Sequence, residues 1–140
     1  MEVCFVCTGN TCRSIMAERI AKKMAKERGI KDIKFSSCGV DARKENIAVN
    51  AKRVLKELGY DARDRKSVKL KKIKENVLYV AMTSPLKRYL GKRCISCDEL
   101  YKAVEDPYGR EEEFYRITAR LLEKNIEVLL DKIEKMRGEK

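Results

Sequence analysis

The chain has 140 residues, 44% of them hydrophobic, which suits one globular core, and it holds no apolar run long enough to span a bilayer. A formal charge of +11 accompanies a complete lack of histidine, which removes histidine general bases and the commonest metal ligand from consideration. The N-terminal residues have no basic start, long apolar stretch or small-residue cleavage site of a secretion signal, so the expectation is a cytoplasmic protein whose six cysteines stay reduced.

Residues 2–7, EVCFVC, form a nearly continuous apolar run and predict a buried parallel strand. Ser14 is placed to cap the next helix, with Glu18 in its first turns, Met16, Ala17, Ile20, Ala21 and Met24 at helical spacing, and Gly29 at its end. IKFSSCG, residues 33–39, predicts a second strand, and Ile47, Ala48, Ala51, Val54, Leu55 and Leu58 mark a helix stopped at Gly59. NVLYVAMT, 76–83, is a third strand followed by a helix begun at Pro85, and RCISC, 93–97, is a short fourth strand. From Glu111 to Met136 the apolar residues fall on one side of a long amphipathic helix. This alternation predicts a single α/β domain over residues 1–140: a four-stranded, parallel, open sheet in three layers with helices on both faces.

The stretch VCTGNTCRS, residues 6–14, admits three readings. Cys4 and Cys7, with Cys94 and Cys97, have the C-x-x-C spacing of a zinc site; Cys7 and Cys12 are a candidate redox couple; Cys7 is a candidate nucleophile heading an anion-binding loop. Zinc fits poorly, because two residues three apart on one strand point to opposite faces. Cys4, Cys38, Cys94 and Cys97 are instead read as small buried hydrophobes. A loop from a strand's C-terminal end to a helix N terminus is where open α/β sheets bind anions. There the amides from Thr8 to Arg13, including those of Asn10, Thr11 and Cys12, would cradle one phosphate, with Gly9 permitting the close approach and unusual dihedrals of such a nest. Arg13 would add two parallel hydrogen bonds to phosphoryl oxygens and Cys7 would sit beneath the phosphorus, with Ser14 donating to its thiolate. Helix N termini and nearby cations bring thiols from about 8.5 to roughly 3.5–7.5, so no histidine is needed. The leaving group needs a proton, and Asp106 in the turn EDPYG is the candidate acid.

C-x5-R-S in CTGNTCRS, MAE at 16–18 and Asp106-Pro107-Tyr108-Gly109 together resemble the low-molecular-weight protein tyrosine phosphatase family, over essentially the whole chain. The resemblance implies a flavodoxin-like fold and a phosphocysteine formed on Cys7. It implies Arg13 as phosphate clamp, Asp106 as acid and then base, Asn10 and Ser14 as supports of loop and thiolate, and Tyr108 at the substrate entrance. Cys12 matches a second loop cysteine that bonds reversibly to the nucleophile and shields it from over-oxidation. No metal or organic cofactor is implied, and the expected partners are phosphorylated proteins met by a monomer.

Ile15, Thr83, Gly109 and Thr11 depart from the commonest tyrosine-specific pattern. Phosphotyrosine is the leading expectation, but Thr11 and Thr83 resemble the protein-arginine phosphatase branch, where a small polar side chain makes room and a hydrogen bond for a guanidinium. Thiol-coupled arsenate reductases share the loop, yet the nearest relay cysteines here, Cys94 and Cys97, come more than ten residues after the third strand. A non-catalytic phosphate-binding module would need Arg13 and the loop amides but not an acid. The basic run KSVKLKKIKEN, 66–76, lacks the interleaved aromatics of a nucleic-acid surface and reads as a solvated face that attracts acidic or phosphorylated protein.

Overall fold

In the computed structural model, which describes residues 1–138, four parallel strands lie in the order β2-β1-β3-β4. They are β1 (Glu2–Cys7), β2 (Lys34–Gly39), β3 (Val77–Ala81) and β4 (Cys94–Ser96). The helices are α1 (Arg13–Glu27), α2 (Val49–Glu57), α3 (Cys97–Leu100) and α4 (Glu112–Met136), with a 3-10 helix at Ser84–Tyr89. None of the described helices is long and apolar enough to cross a membrane.

Strand alternation divides the core in two. On β1, Val3, Phe5 and Cys7 face a cluster built with α1, α2 and α4, whereas Cys4 and Val6 face a smaller one. The smaller cluster is covered by Leu86 of the 3-10 helix and Leu90 just after it, with Leu70 and Ile73 from the basic stretch. Cys4 and Cys7 therefore sit on opposite faces and share no ligand. Helix α4 buries Tyr115, Ala119, Leu122, Ile126, Leu129, Leu130 and Ile133 along one stripe, each large apolar side chain contributing about 1.5–3 kcal/mol. Arg28 at the end of α1 ties the two helices through Asp131 and Glu134 at 2.7 and 2.9 Å.

Several local expectations change. Ser14 caps nothing: α1 begins at Arg13, with Cys12 at the cap position and no side-chain cap, because the Ser14 hydroxyl is engaged by Cys7 and Asn10. The helix expected at Pro85 is a six-residue 3-10 segment. Strand β4 stops at Ser96, which forms a reciprocal capping box with Glu99 and so starts α3 at Cys97. Cys94 and Cys97 thus belong to different elements, and Cys94, on an edge strand, is half-buried rather than a core residue.

The chain leaves β1 for β2 on one side and reaches β3 on the other, so a crevice opens at the C-terminal end of β1. Gly39 closes the floor of that crevice. Its amide donates to the Val68 carbonyl at 2.8 Å and its carbonyl accepts from Leu70 at 2.9 Å, so the basic stretch forms a one-residue parallel bridge at the β2 edge. A Cβ on Gly39 would lie 2.5 Å from the Thr8 carbonyl oxygen and 2.9 Å from the Asn10 amide nitrogen, both backbone atoms. Gly39→Ala is expected to cost about 1–3 kcal/mol, seen as an earlier urea midpoint at unchanged slope. A midpoint equal to the parent's would show that the loop above can yield freely.

Candidate active site

Cys7 is the last residue of β1 and Arg13 the first of α1, so the loop between them joins a strand end to a helix N terminus. Asn10 turns it, at φ 56°, in the left-handed region that asparagine tolerates better than most residues. That turn aims the Asn10 amide at Cys7 Sγ, 3.2 Å away. Ser14 Oγ lies 2.9 Å from the same sulfur and accepts from Asn10 Nδ2 at 2.7 Å. Its single proton is left for the sulfur or for the Cys38 carbonyl at 3.3 Å. With no side chain capping α1, the loop amides and the helix dipole face the same point.

Gly9, expected to supply the unusual dihedrals, is not where they occur. Its φ is not positive, and a Cβ there would meet only Thr11 Oγ1, at 3.7 Å. The left-handed turn belongs to Asn10, whose side chain holds it in place, and the close backbone approach belongs to Gly39.

A buried layer invisible to the motif lies behind the loop. Asn10 Oδ1 accepts from Arg65 Nη2 at 2.7 Å and from the Val68 amide at 2.9 Å, while Asn10 Nδ2 also donates to Ser37 Oγ at 3.0 Å. Arg65 Nη1 reaches Glu18 Oε1 at 3.0 Å, and the Ser37 hydroxyl donates to the same oxygen at 2.7 Å. Burial raises the Glu18 carboxyl, but hydrogen bonds from Lys22 and Ser37 and the charge of Arg65 outweigh it and hold the group below its ordinary value. Glu18 therefore stays ionised at 4% exposure, a buried charge that is fully paired.

Above the loop is a pocket of about 320 Å³, lined by Cys7, Thr8, Gly9, Asn10, Thr11, Cys12, Arg13, Asp106 and Tyr108, and also by Asp41, Arg43 and Glu45. Arg13 is 6% exposed; its Nη1 donates to the Val104 carbonyl at 3.1 Å, and its Nη2 lies 3.8 Å from Asp106 Oδ2. The other Asp106 oxygen accepts from the Tyr108 amide at 3.0 Å, which fixes the carboxylate at the pocket edge. Val104 is in turn bonded through its amide to the Met82 carbonyl at 2.9 Å, so the segment leading to Asp106 is hung just past the end of β3. Tyr108 stands at the mouth, 65% exposed. A second, wider recess of about 540 Å³ continues from Thr11, Glu45 and Tyr108 toward Asn50 and Arg110.

Sequence reasoning missed Asp41, Arg43 and Glu45. Their signal was position: VDARKEN follows β2 directly, at the strand end that carries the crevice. Thr83, singled out with Thr11, lies outside the pocket lining and heads the 3-10 helix, where its carbonyl accepts from Leu86 at 3.2 Å. Cys94 and Cys97 also lie outside it; burial pushes the Cys97 thiol up to about 12. Cys12 is inside, its sulfur 3.6 Å from the Tyr115 hydroxyl, and burial raises its thiol above the ordinary value against that hydrogen bond.

Comparison with known proteins places this geometry. The sequence pattern of the low molecular weight phosphotyrosine protein phosphatase family matches residues 2–139. A protein-arginine-phosphatase of Geobacillus stearothermophilus is 33% identical over 95% of this chain and 96% of its own. A low molecular weight protein tyrosine phosphatase from T. tengcongensis superposes with a TM-score of 0.83 at 37% identity, over 94% of this chain and 99% of that one. The YwlE arginine phosphatase, as a C7S mutant with a phosphorylated active site serine, superposes with a TM-score of 0.87 at 28% identity, over 99% of both chains. A sheet order, a cysteine loop and a whole-length match that all coincide leave one assignment: the chain belongs to the low molecular weight phosphotyrosine protein phosphatase family.

Proposed function

We propose that this chain dephosphorylates protein side chains through a phosphocysteine on Cys7, with phosphoarginine as its preferred substrate. The observation that carries the reading is convergence: the Cys7 sulfur, the loop amides, Arg13 and Asp106 all face one pocket at the N terminus of α1. The phosphoryl oxygens take the amides of residues 8–13 and the planar fork of Arg13, which replaces its long contact to Asp106 with shorter charged hydrogen bonds. Cys7 Sγ attacks phosphorus in line, the bond to the leaving nitrogen or oxygen breaks, and Asp106 delivers the proton that atom requires. Asp106, now a carboxylate, takes a proton from water as that water attacks phosphorus and expels the Cys7 thiolate. Every step uses groups of this chain, and none calls on a metal or an organic cofactor.

The pocket wall supports phosphoarginine. Thr11 offers a hydroxyl and little bulk, and Glu45 brings to the rim a carboxylate that favours a guanidinium over a neutral phenol, while Asp41 is paired with Arg43 at 3.4 Å. The whole-length likeness to the Geobacillus protein-arginine-phosphatase agrees. Phosphotyrosine is the second reading, and Tyr108 favours it as an exposed aromatic able to stack on a phenol ring. The arsenate reductase reading weakens further, because neither Cys94 nor Cys97 lines the pocket that holds Cys7. A module that only binds phosphate would have no use for Asp106 beside Arg13.

The deciding experiment is phosphate release from matched phosphoarginine and phosphotyrosine peptides under reducing conditions. The parent is expected to favour phosphoarginine, Cys7→Ser to release nothing, and Asp106→Asn to slow release by about 10²–10⁴-fold. Thr11→Ile is expected to shift the preference toward phosphotyrosine by about tenfold, the scale of one pocket group. Faster phosphotyrosine release by the parent, with a ratio indifferent to Thr11→Ile, would hand the assignment to the second reading.

Cys12 shields Cys7 in this proposal: Cys7 oxidised by peroxide to a sulfenic acid is attacked by the Cys12 sulfur, losing the oxygen as water and forming a disulfide. After mild peroxide, dithiothreitol is expected to restore the parent's activity more completely than that of Cys12→Ser. Equal recovery in both would remove the shield.

A further inference from the structure

A second pair of thiols lies on the face of the sheet turned away from Cys7. Strands β1 and β2 run parallel with Cys4 opposite Ser36 and Val6 opposite Cys38, so Cys4 and Cys38 are diagonal neighbours across the two strands. Their sulfurs are 3.6 Å apart. Both residues line a cleft of about 260 Å³ whose other walls include Lys69, Lys71, Lys72 and Lys74. Leu70 and Ile73 pack into the same small cluster as the two cysteines, which fixes the intervening lysines around the cleft. None of these four lysines makes an ion pair among the described residues, and all four are exposed to solvent. A hydrogen bond from Cys38 lowers the Cys4 thiol against burial and the nearby carboxylates of Glu2 and Glu18, and the same bond raises Cys38, which makes Cys4 the more readily ionised of the two.

We propose that Cys4 and Cys38 are an oxidation site for hydrogen peroxide, closing reversibly to a disulfide that weakens anion binding on the opposite face of the sheet. The Cys4 thiolate attacks one peroxide oxygen; the O–O bond breaks, hydroxide departs, and a sulfenic acid remains on Cys4. The Cys38 sulfur then attacks Cys4 Sγ, the S–S bond forms as the S–O bond breaks, and the oxygen leaves as water with the Cys38 proton. Two thiols lose two electrons and peroxide becomes two waters; an added dithiol reverses the change.

The consequence for the loop follows from what β2 touches. A disulfide is about 2.05 Å long, so closure from 3.6 Å draws β2 toward β1 at Cys38. The Cys38 carbonyl accepts from Ser14, the Ser37 hydroxyl accepts from Asn10, and Gly39 lies under the backbone of Thr8 and Asn10. Three consecutive residues of the displaced strand therefore support the phosphate loop directly.

The test uses the full chain carrying Cys7→Ser, which keeps the loop amides and Arg13 but cannot form a Cys7–Cys12 bridge. After peroxide and alkylation of the remaining thiols, mass mapping is expected to find a Cys4–Cys38 linked peptide that dithiothreitol removes and that Cys7→Ser/Cys4→Ala never forms. Calorimetry with inorganic phosphate is expected to show binding about tenfold weaker in the linked protein, the effect of roughly one lost charged hydrogen bond, and restored by the dithiol. Recovery of Cys4 and Cys38 as separately alkylated thiols would overturn the proposal, and so would a linked protein that binds phosphate as tightly as the reduced one. Neither readout needs turnover, so a failed phosphatase assay and a failed oxidation site are distinguishable results.

Discussion

Asn10 is a non-glycine residue in the left-handed region, and five hydrogen bonds hold it there: its amide to Cys7, its side-chain nitrogen to Ser14 and Ser37, and its side-chain oxygen from Arg65 and Val68. The conformation costs roughly 1–2 kcal/mol, whereas a typical hydrogen bond contributes about 1 kcal/mol net and a charged one more. Together the five bonds outweigh that cost. With Asn10 in any other conformation its amide would leave the sulfur and the anion nest would lose its curvature. The left-handed turn is thus the condition on which the surroundings of Cys7 depend, and the surrounding fold can be understood as what keeps those partners in place.

Each partner comes from a different part of the chain. Ser14 rides on α1, Ser37 on β2, and Arg65 and Val68 on the segment after α2. Arg65 is held in turn by Glu18, which sits one helical turn beyond Ser14 and presents its carboxylate beneath the loop. A buried ion pair of this kind contributes little to stability in its own right, because both charges had to leave water. Its effect is geometric: a rigid guanidinium fork spans Glu18, Asn10 and Ser37 at once, which a lysine ammonium would do less definitely. The basic stretch after Arg65 joins the same construction, since Val68 bonds to Asn10 and Val68 and Leu70 flank Gly39. Its lysines are solvated, as the charge pattern suggests, but its backbone belongs to the site.

The main elements were legible from sequence for different reasons: β1, buried on both faces, reads as an unbroken apolar run, whereas α4 buries one stripe whose helical period reveals it. Cys7, Arg13 and Asp106 were singled out because C-x5-R-S and the later Asp-Pro-Tyr-Gly resemble the family motifs, and the structure brings all three to one pocket. What escaped depends on contacts between segments distant in sequence. Arg65 gives no local sign that it meets Asn10, 55 positions earlier. Gly9 drew attention as the glycine within the motif, while the glycine that sterics require is Gly39, thirty residues away on the neighbouring strand. The Pro85 segment misled for a local reason: proline favours a helix start whether the turns that follow are 3-10 or α. Asp41 and Glu45 escaped because polar residues after a strand read as an ordinary loop until the sheet order shows that this loop borders the crevice.

The end of β2 also explains why the two faces of this sheet need not act independently. Along a strand, successive side chains point to opposite sides, so Ser37 turns toward Asn10 while Cys38 turns toward Cys4 and the lysine cleft. The Cys38 backbone nevertheless serves the loop side, through its carbonyl to Ser14. One residue is therefore bonded by its sulfur on one face and by its oxygen toward the other, with a glycine beside it that leaves no slack against the loop backbone. Close-packed interiors transmit small displacements rather than absorbing them. The loop-side contacts of Ser37, Cys38 and Gly39 make β2 the element through which a change at the Cys4–Cys38 pair would, on the proposal above, reach the anion site.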